Sequence, residues 1–387
     1  MAVQRFVSRI YDAMEKRAYS VGIFLDLKKA FDSLDRDVLL HKLKYYGIRG
    51  NELHWFHSYL YNRKQFTMCG EVKSIMSTAR YGVPQGSSLG PILFIIFIND
   101  LVKSSNMFEF LVYADDTTLF LEHPDVQTLI DTTNRELEKV KDWFEKNRLT
   151  LNIAKSNFII FHRRALNLSI LDYRVRIGGT VLERVPSNVF LGVLIQENLS
   201  WSLHINRIVK RVSRYVPIFY KLRYFLPLRI LRLIYHGILY PNIIYCIVIW
   251  GSSFKSSIDP LQKLQNRILR AIGQFSRRSP VVPMYQSLNL LNISKIHMYF
   301  SCLYVFKSLM SDRGEFQYRD HARNTRQSVL NLLNEPFYRN VRSRQNLYYV
   351  GAKNWNSLPI AIRELGSLIS FKNNLKTFLL SLEFETG

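Results

Sequence analysis

Cysteine is scarce: Cys69, Cys246 and Cys302 are the only three in 387 residues. They lie too far apart for zinc-ligand spacing and give no disulfide framework, which fits a reducing intracellular compartment. Acidic charge is also scarce, with 30 Asp+Glu against 53 Lys+Arg and a formal net charge of +23. Such an excess points to a polyanionic partner, either nucleic acid or an anionic surface. Uninterrupted apolar sequence is missing where targeting would need it. The opening stretch MAVQRFVSRIYDAMEKRAYS has no apolar core, so no signal peptide is read and secretion is not expected. The run Leu231–Trp250 has the length of a membrane span but contains Arg232, His236, Pro241 and Asn242. Buried helices broken at Pro241 are expected there instead, and no membrane partner. No internal repeat or low-complexity tract is found.

What is present is a chain able to bury a core. Hydrophobic residues make up 48%, with 25 Phe and 22 Tyr, and the length suits two or three domains. Charge is divided unevenly. Residues 1–196 hold 26 basic and 21 acidic side chains, and residues 197–387 hold 27 and 9. A catalytic part followed by a polyanion-gripping part has this pattern. Periodicity predicts a helix over 3–19, a buried strand over Val21–Leu27, and a helix capped near Asp35 and stopped at Gly47. A hairpin with Gly70 in its turn follows, then a loop leading into the apolar helix PILFIIFINDLV. Strands flank a tight turn at Ala114–Asp116, LTLNIAKSNFIIF reads as strand, SNVFLGVLI as a short strand or turn, and the chain is mostly helical from Trp201. The class is α+β. The expected divisions are 1–196, 197–275 and a less readable basic region, 276–387.

The stretch LVYADDTTLF places Asp115 and Asp116 between apolar, β-prone segments, and Asp26 ends another apolar strand. Neighbours on a strand face opposite ways, so the better pair is Asp26 with Asp115, one from each strand, with Asp116 nearby. Like charges so placed repel unless hard cations intervene, and magnesium needs only one or two protein carboxylates. An Asp pair is also an ordinary turn-former. An Asp-rich metal turn occurs in carbohydrate-transferring enzymes too, but that reading leaves the basic second half unexplained.

Five segments occur in one order: FLDLKKAFDSLD (24–35), GVPQGSSLGPILFIIFINDL (82–101), YADD (113–116), LTLNIAKS (149–156) and FLGVLI (190–195). In order and spacing they resemble the catalytic motifs of reverse transcriptases, in the style of non-LTR, jockey-like retrotransposons. The tail GAKNWNSLP…FKNNLK (351–376) is similar to the C-terminal region of those elements. The resemblance implies a right-hand polymerase palm, an antiparallel sheet with packed helices, followed by a helical thumb and a basic C-terminal region. It implies RNA-directed DNA synthesis from dNTPs on an RNA template and a DNA primer, by two-metal nucleotidyl transfer with Mg²⁺ or, in its place, Mn²⁺.

Site roles follow from the same resemblance. Asp26 and Asp115 would bind both ions, with Asp116 as a supporting carboxylate. Lys155 would assist the leaving pyrophosphate. Leu27, Phe31, Gln85 and Gly86 would border the incoming nucleotide, with Phe31 as the gate against a 2′-OH. Tyr113, Leu191 and Gly192 would lie at the primer. Arg207, Lys210, Arg211 and Arg214, at helical spacing opposite Ile205, Ile208, Val212, Tyr215 and Phe219, would follow the phosphates of the duplex. A solvated basic face is the ordinary reading of such a run, and a core Phe or a solvated Lys the ordinary reading of Phe31 or Lys155. Further cations at Arg267, Arg270, Arg277, Arg278, Arg323, Arg326, Arg342 and Arg344 extend the potential. The pattern departs from the family in one respect: about one helix precedes Asp26. Incomplete fingers and a truncated element are therefore expected, with a fingers or endonuclease segment supplied in trans, or else an inactive remnant that only binds nucleic acid. Work in the nucleus or cytoplasm is expected. Gly86–Gly90 also matches the G-x-S-x-G hydrolase elbow, but Pro84 precedes it where a strand is needed, and no later His stands out.

Overall fold

The structure, a computed structural model, describes residues 2–162, 173–276, 278–311, 314–319 and 332–382. Its contacts divide into two units. One is Lys16–Pro186; the other joins Val3–Glu15 to the residues from Ser187 onward.

In the first unit a five-stranded sheet has the order β11-β8-β1-β7-β6. These strands are β1 (Tyr19–Leu25), β6 (Glu109–Tyr113), β7 (Asp116–His123), β8 (Asn157–Phe161) and β11 (Glu183–Arg184). The intervening short strands are β2 (Lys64–Gln65), β3 (Met68–Cys69), β4 (Val72–Lys73), β5 (Ser77–Thr78), β9 (Arg176–Ile177) and β10 (Thr180–Val181). Strand β1 is antiparallel to β7 on one side and β8 on the other. A central strand is covered on both faces, which is why VGIFL reads as unbroken apolar sequence. β8 and β11 pair in parallel.

Helices α2 (Ala30–Ser33), α3 (Arg36–Tyr45), α4 (Gly50–Leu60), α5 (Gly90–Ile98) and α6 (Val126–Lys146) complete this unit, counting α1 as Ala2–Glu15. α6 begins where the Asp125 carboxylate accepts from the Thr128 N–H at 2.7 Å. It buries Leu129, Ile130, Thr133, Leu137, Val140 and Phe144, a stripe at three- and four-residue spacing. Its apolar members join Ile23, Leu25, Leu119 and Phe158 in one core. Full burial of each large apolar side chain is worth roughly 1.5–3 kcal/mol.

Before Ser187 the chain departs from the sequence pattern at three places. α1 ends at Glu15, and Arg17 turns the chain with φ 61°, so the predicted helix to 19 is cut short. β1 ends at Leu25, which leaves Asp26 just beyond it. LTLNIAKS is not strand: Leu151 makes a single bridge to Leu27, and Lys155 and Ser156 donate back to Asn152 O in a turn. Side chains of Asn152 and Ser156 supply hydrogen bonds there in place of a ladder.

The second unit is mostly helical. The hairpin β12 (Ser187–Phe190) and β13 (Val193–Gln196) leads into α7 (Ser202–Ser213) and α8 (Tyr215–Leu222). α1 belongs to this unit: Phe6 meets Phe190 edge-on at 5.4 Å, the Trp201 indole donates to Tyr11 Oη at 3.1 Å, and Ser8 donates to Asn346 at 3.1 Å. The change in packing at Pro186–Ser187 therefore differs from the composition change near 196. Pro241 does not break a helix. It sits in the first turn of α10 (Tyr240–Ile244), after α9 (Leu228–Ile234) and a π turn at Tyr235–Leu239; the break comes at Cys246, φ 52°, before α11 (Ile247–Trp250). Among the described residues no helix is long and apolar enough to cross a membrane.

Candidate active site

The β6–β7 hairpin closes through Tyr113↔Asp116, leaving Ala114 and Asp115 as its two turn residues. Ala114 has φ 52° and Asp115 does not have positive φ, the φ pattern of a type II′ turn, where glycine is usual. The β1–β7 register ends at Leu25↔Thr117. One step further along the same register, Asp26 stands beside Asp116. Opposed residues share a face, so the sheet brings Asp26 and Asp116 to one side at its end, with Asp115 at the tip. Asp115 and Asp116 are exposed and Asp26 is half-buried.

Partial desolvation, then the charges of Asp115 and Asp26, raise Asp116 above the usual carboxylate range. Asp116 therefore feels both other carboxylates. Asp26 is fixed by residues the sequence reading passed over. Asn152 Nδ2 donates to Asp26 Oδ2 at 2.8 Å, the Asn152 N–H donates to the Asp26 carbonyl at 2.8 Å, and the Asp26 N–H donates to buried Ser156 Oγ at 3.1 Å. Both residues lie within LTLNIAKS, where lysine drew the attention; an Asn and a Ser that cap a turn are the signal that was there to find.

Among the described residues, no three His, Cys, Asp or Glu side chains form a ready-made metal cage. The chemistry of the donor set nevertheless fits a hard divalent cation. All donors are carboxylate oxygens, they repel one another, and among the described residues no cationic side chain pairs with Asp115 or Asp116. Magnesium fills most of its shell with water and phosphate, so two or three carboxylates suffice.

Phe31 is half-buried, its ring 4.6 Å from that of Phe94 on α5. Gln85 donates to Asp32 Oδ1 at 2.8 Å, and Gly86 is exposed at φ 77°. The loop carrying Gln85 is pinned at Gly82, which donates to Leu34 O at 2.8 Å. A Cβ on Gly82 would lie 2.6 Å from the Phe31 carbonyl, and its φ is 78°. Leu27 is buried, which leaves only its main chain to meet a ligand. Tyr113 is 62% exposed, and Lys155 is exposed in the turn beside Asn152.

In the helical unit, Leu191 (φ 45°) and Gly192 (φ 82°) form the two-residue turn of β12–β13. Two positive φ values define a type I′ turn, and a leucine there is strained. Tyr245 holds it, donating to Leu191 O and packing 3.3 Å from a Cβ position on Gly192. Arg207, Lys210, Arg211 and Arg214 lie on or beside α7, opposite buried Ile205, Ile208 and Val212. Arg211 also donates to Asn242 Oδ1 on α10 at 3.1 Å. Arg277, Arg323 and Arg326 lie outside the described residues.

A sheet antiparallel but for its β8–β11 edge, whose central strand and hairpin tip bring carboxylates together, with helices on the sheet, defines the palm of a right-hand polymerase. The family model for reverse transcriptase (RNA-dependent DNA polymerase) matches residues 3–195, and the chain belongs to that family. It is 27% identical over 312 residues to the probable RNA-directed DNA polymerase from transposon BS of Drosophila melanogaster. It is likewise 27% identical over 286 residues to the RNA-directed DNA polymerase from mobile element jockey of the same organism. These alignments cover 76% and 70% of this chain, and the chain spans about a third of each relative's length, 33% and 30%. Its relatives thus make it a jockey-like, non-LTR type of reverse transcriptase sequence. Among solved structures, telomerase from Candida albicans in complex with a fragment of telomeric RNA aligns over 99% of this chain and 53% of its own, at 16% identity and a TM-score of 0.39.

Proposed function

We propose that the chain is the RNA-directed DNA polymerase part of a non-LTR retrotransposon, adding dNTPs to a primer 3′-OH on an RNA template inside the cell. The observation that carries this reading is the meeting of Asp26, Asp115 and Asp116 at one end of the sheet, where partial desolvation and the charges of the other two raise Asp116.

Asp26, Asp115 and Asp116 would hold divalent ions, Mg²⁺ in the first instance. Bound there, such ions supply Lewis-acid activation of the attacking hydroxyl and charge stabilisation at the leaving pyrophosphate. The chain's own residues do the positioning. Asn152 and Ser156 hold the Asp26 carboxylate and main chain in place. Phe31, braced by Phe94, supplies a flat wall for a deoxyribose, and Gln85, held by Asp32, borders the base. Lys155 places a cation at the turn next to Asn152, suited to a departing phosphate. Tyr113 offers an exposed ring beside the hairpin turn. The Leu191–Gly192 turn and the cations of α7 are surfaces for primer and duplex phosphates, which they would meet without reading bases.

The test is primer extension by the purified chain with an RNA template, a DNA primer, dNTPs and Mg²⁺. The reading expects extension that follows template sequence and is lost in Asp115→Ala. Salt-sensitive binding to an RNA–DNA hybrid with no extension would instead mark a remnant that only binds nucleic acid.

A further inference from the structure

The first unit carries a feature that the polymerase reading does not use. Residues 63–79 form a β arm, and every residue from Lys64 to Thr78 is exposed. β2 and β5 pair through Lys64↔Thr78 and Gln65↔Ser77, and β3 and β4 pair through Met68↔Lys73 and Cys69↔Val72. Between them the Ser74 N–H donates to Thr67 O at 2.9 Å, so Ile75 and Met76 stand together opposite Phe66 in a bulge. Opposed residues share a face and faces alternate. Lys64, Phe66, Met68 and Lys73 therefore lie on one face, and Gln65, Thr67, Ser74 and Ser77 on the other. The Lys73 ammonium, 5.5 Å from the Phe66 ring centre, agrees with this.

The root of the arm is fixed while its length is bare. Buried Arg36 donates to the carbonyls of Ala79 at 2.8 Å, Tyr81 at 2.8 Å and Gly82 at 3.0 Å. Beyond that root, Ile75 is 93% exposed and Val72 74%. A bare two-stranded ribbon with apolar side chains is a surface built to be covered.

The charge chooses the occupant. Arg63, Lys64, Lys73 and Arg80 face a single acid, Glu71. Cations beside an aromatic ring on one face grip single strands: the cations meet phosphates and the ring stacks on a base. An anionic membrane fits less well, because the tip that would enter it carries Glu71.

We propose that residues 63–79 are an arm that holds single-stranded RNA, with Phe66 under a base and Lys64 and Lys73 on the phosphates. The choice of RNA rests on the reverse transcriptase reading; the existence of a polyanion grip does not.

The test uses the full chain and a fluorescent single-stranded RNA, with binding followed by anisotropy over a salt series. Phe66→Ala should weaken binding about ten-fold, within the range for one stacked base. The double variant K64A/K73A should lower the slope of log affinity against log salt by about 1.4, or 0.7 per phosphate. A photo-crosslinker on Met68→Cys, on the same face as Phe66 and Lys73, in a chain with Cys69→Ser and Cys246→Ser and with Cys302 buried, probes the same contact with the gripping residues intact. It should capture the RNA whether or not the other variants fold. Unchanged affinity and slope with no crosslink would overturn the proposal. So would variants that lose binding only to phosphatidylserine vesicles, or a crosslink only to a second copy of the chain. Arm-dependent RNA binding without primer extension would count against the polymerase reading alone. Extension with arm-independent RNA binding would count against the arm alone.

Discussion

Asn152 and Asp26 are joined twice: side chain to carboxylate at 2.8 Å, and main-chain N–H to carbonyl at 2.8 Å. The second bond survives loss of the side chain, so Asn152→Ala should keep the fold and release only the carboxylate. Residues that orient a metal's ligands typically carry about 10–100-fold in metal affinity or activity. The expected outcome is a primer-extension rate lower by that factor and a higher Mg²⁺ requirement. An unchanged Mg²⁺ dependence would remove Asn152 from the site.

Gly82 sits against Phe31 and Asp32 with no room for a Cβ, at φ 78°. Gly82→Ala combines a clash with backbone strain of roughly 1–3 kcal/mol. Urea denaturation should show a loss of at least that size. A midpoint equal to wild type would mean that the loop before Gln85 is not seated on Phe31.

Phe31 packs on Phe94, yet one side stays open. If that side walls off a 2′-OH, Phe31→Ala should raise kcat/KM for ribonucleotides relative to deoxyribonucleotides. Equal discrimination in both proteins would return Phe31 to an ordinary core role.

His204 and His297 are buried, and burial above all pushes each imidazole down to about 4, with Arg207 and Arg211 adding to the effect at His204. Each is an ordinary histidine near 6.5 when unfolded. Between those values the unfolded chain binds the proton and the folded chain does not. Stability is therefore undisturbed above about pH 6.5 and falls as pH drops toward 4, by about 3 kcal/mol for each group. The Leu194 N–H donates to His204 Nδ1 at 3.2 Å. His204→Asn keeps an acceptor and removes the titration, so the drop in melting temperature between pH 6.5 and 4.5 should shrink. An identical pH profile would contradict the burial argument.

Strong local patterns were legible in the sequence. The apolar run of β1, the helix α3 capped at Asp35, and the tight turn read at Ala114–Asp116 all follow from residue chemistry close along the chain. Less legible was whatever depends on pairing across long separations. Register, not sequence spacing, sets Asp116 beside Asp26. The bonds from Asn152 and Ser156 to Asp26 span more than a hundred residues and replace a strand that the alternation of LTLNIAKS suggested. Likewise α1 finds Phe190, Trp201 and Asn346 through tertiary contacts that no local signal announces.

On the polymerase reading, Asp26, Asp115 and Asp116 make one cation site. Electron paramagnetic resonance of Mn²⁺, added to the chain with an RNA template, a chain-terminated DNA primer and the matching dNTP, tests it most directly. Bound Mn²⁺ should be clear in wild type and sharply reduced in Asp26→Asn and Asp115→Asn, with melting temperatures retained. Equal Mn²⁺ binding in all three proteins would mean that these aspartates do not hold the ion.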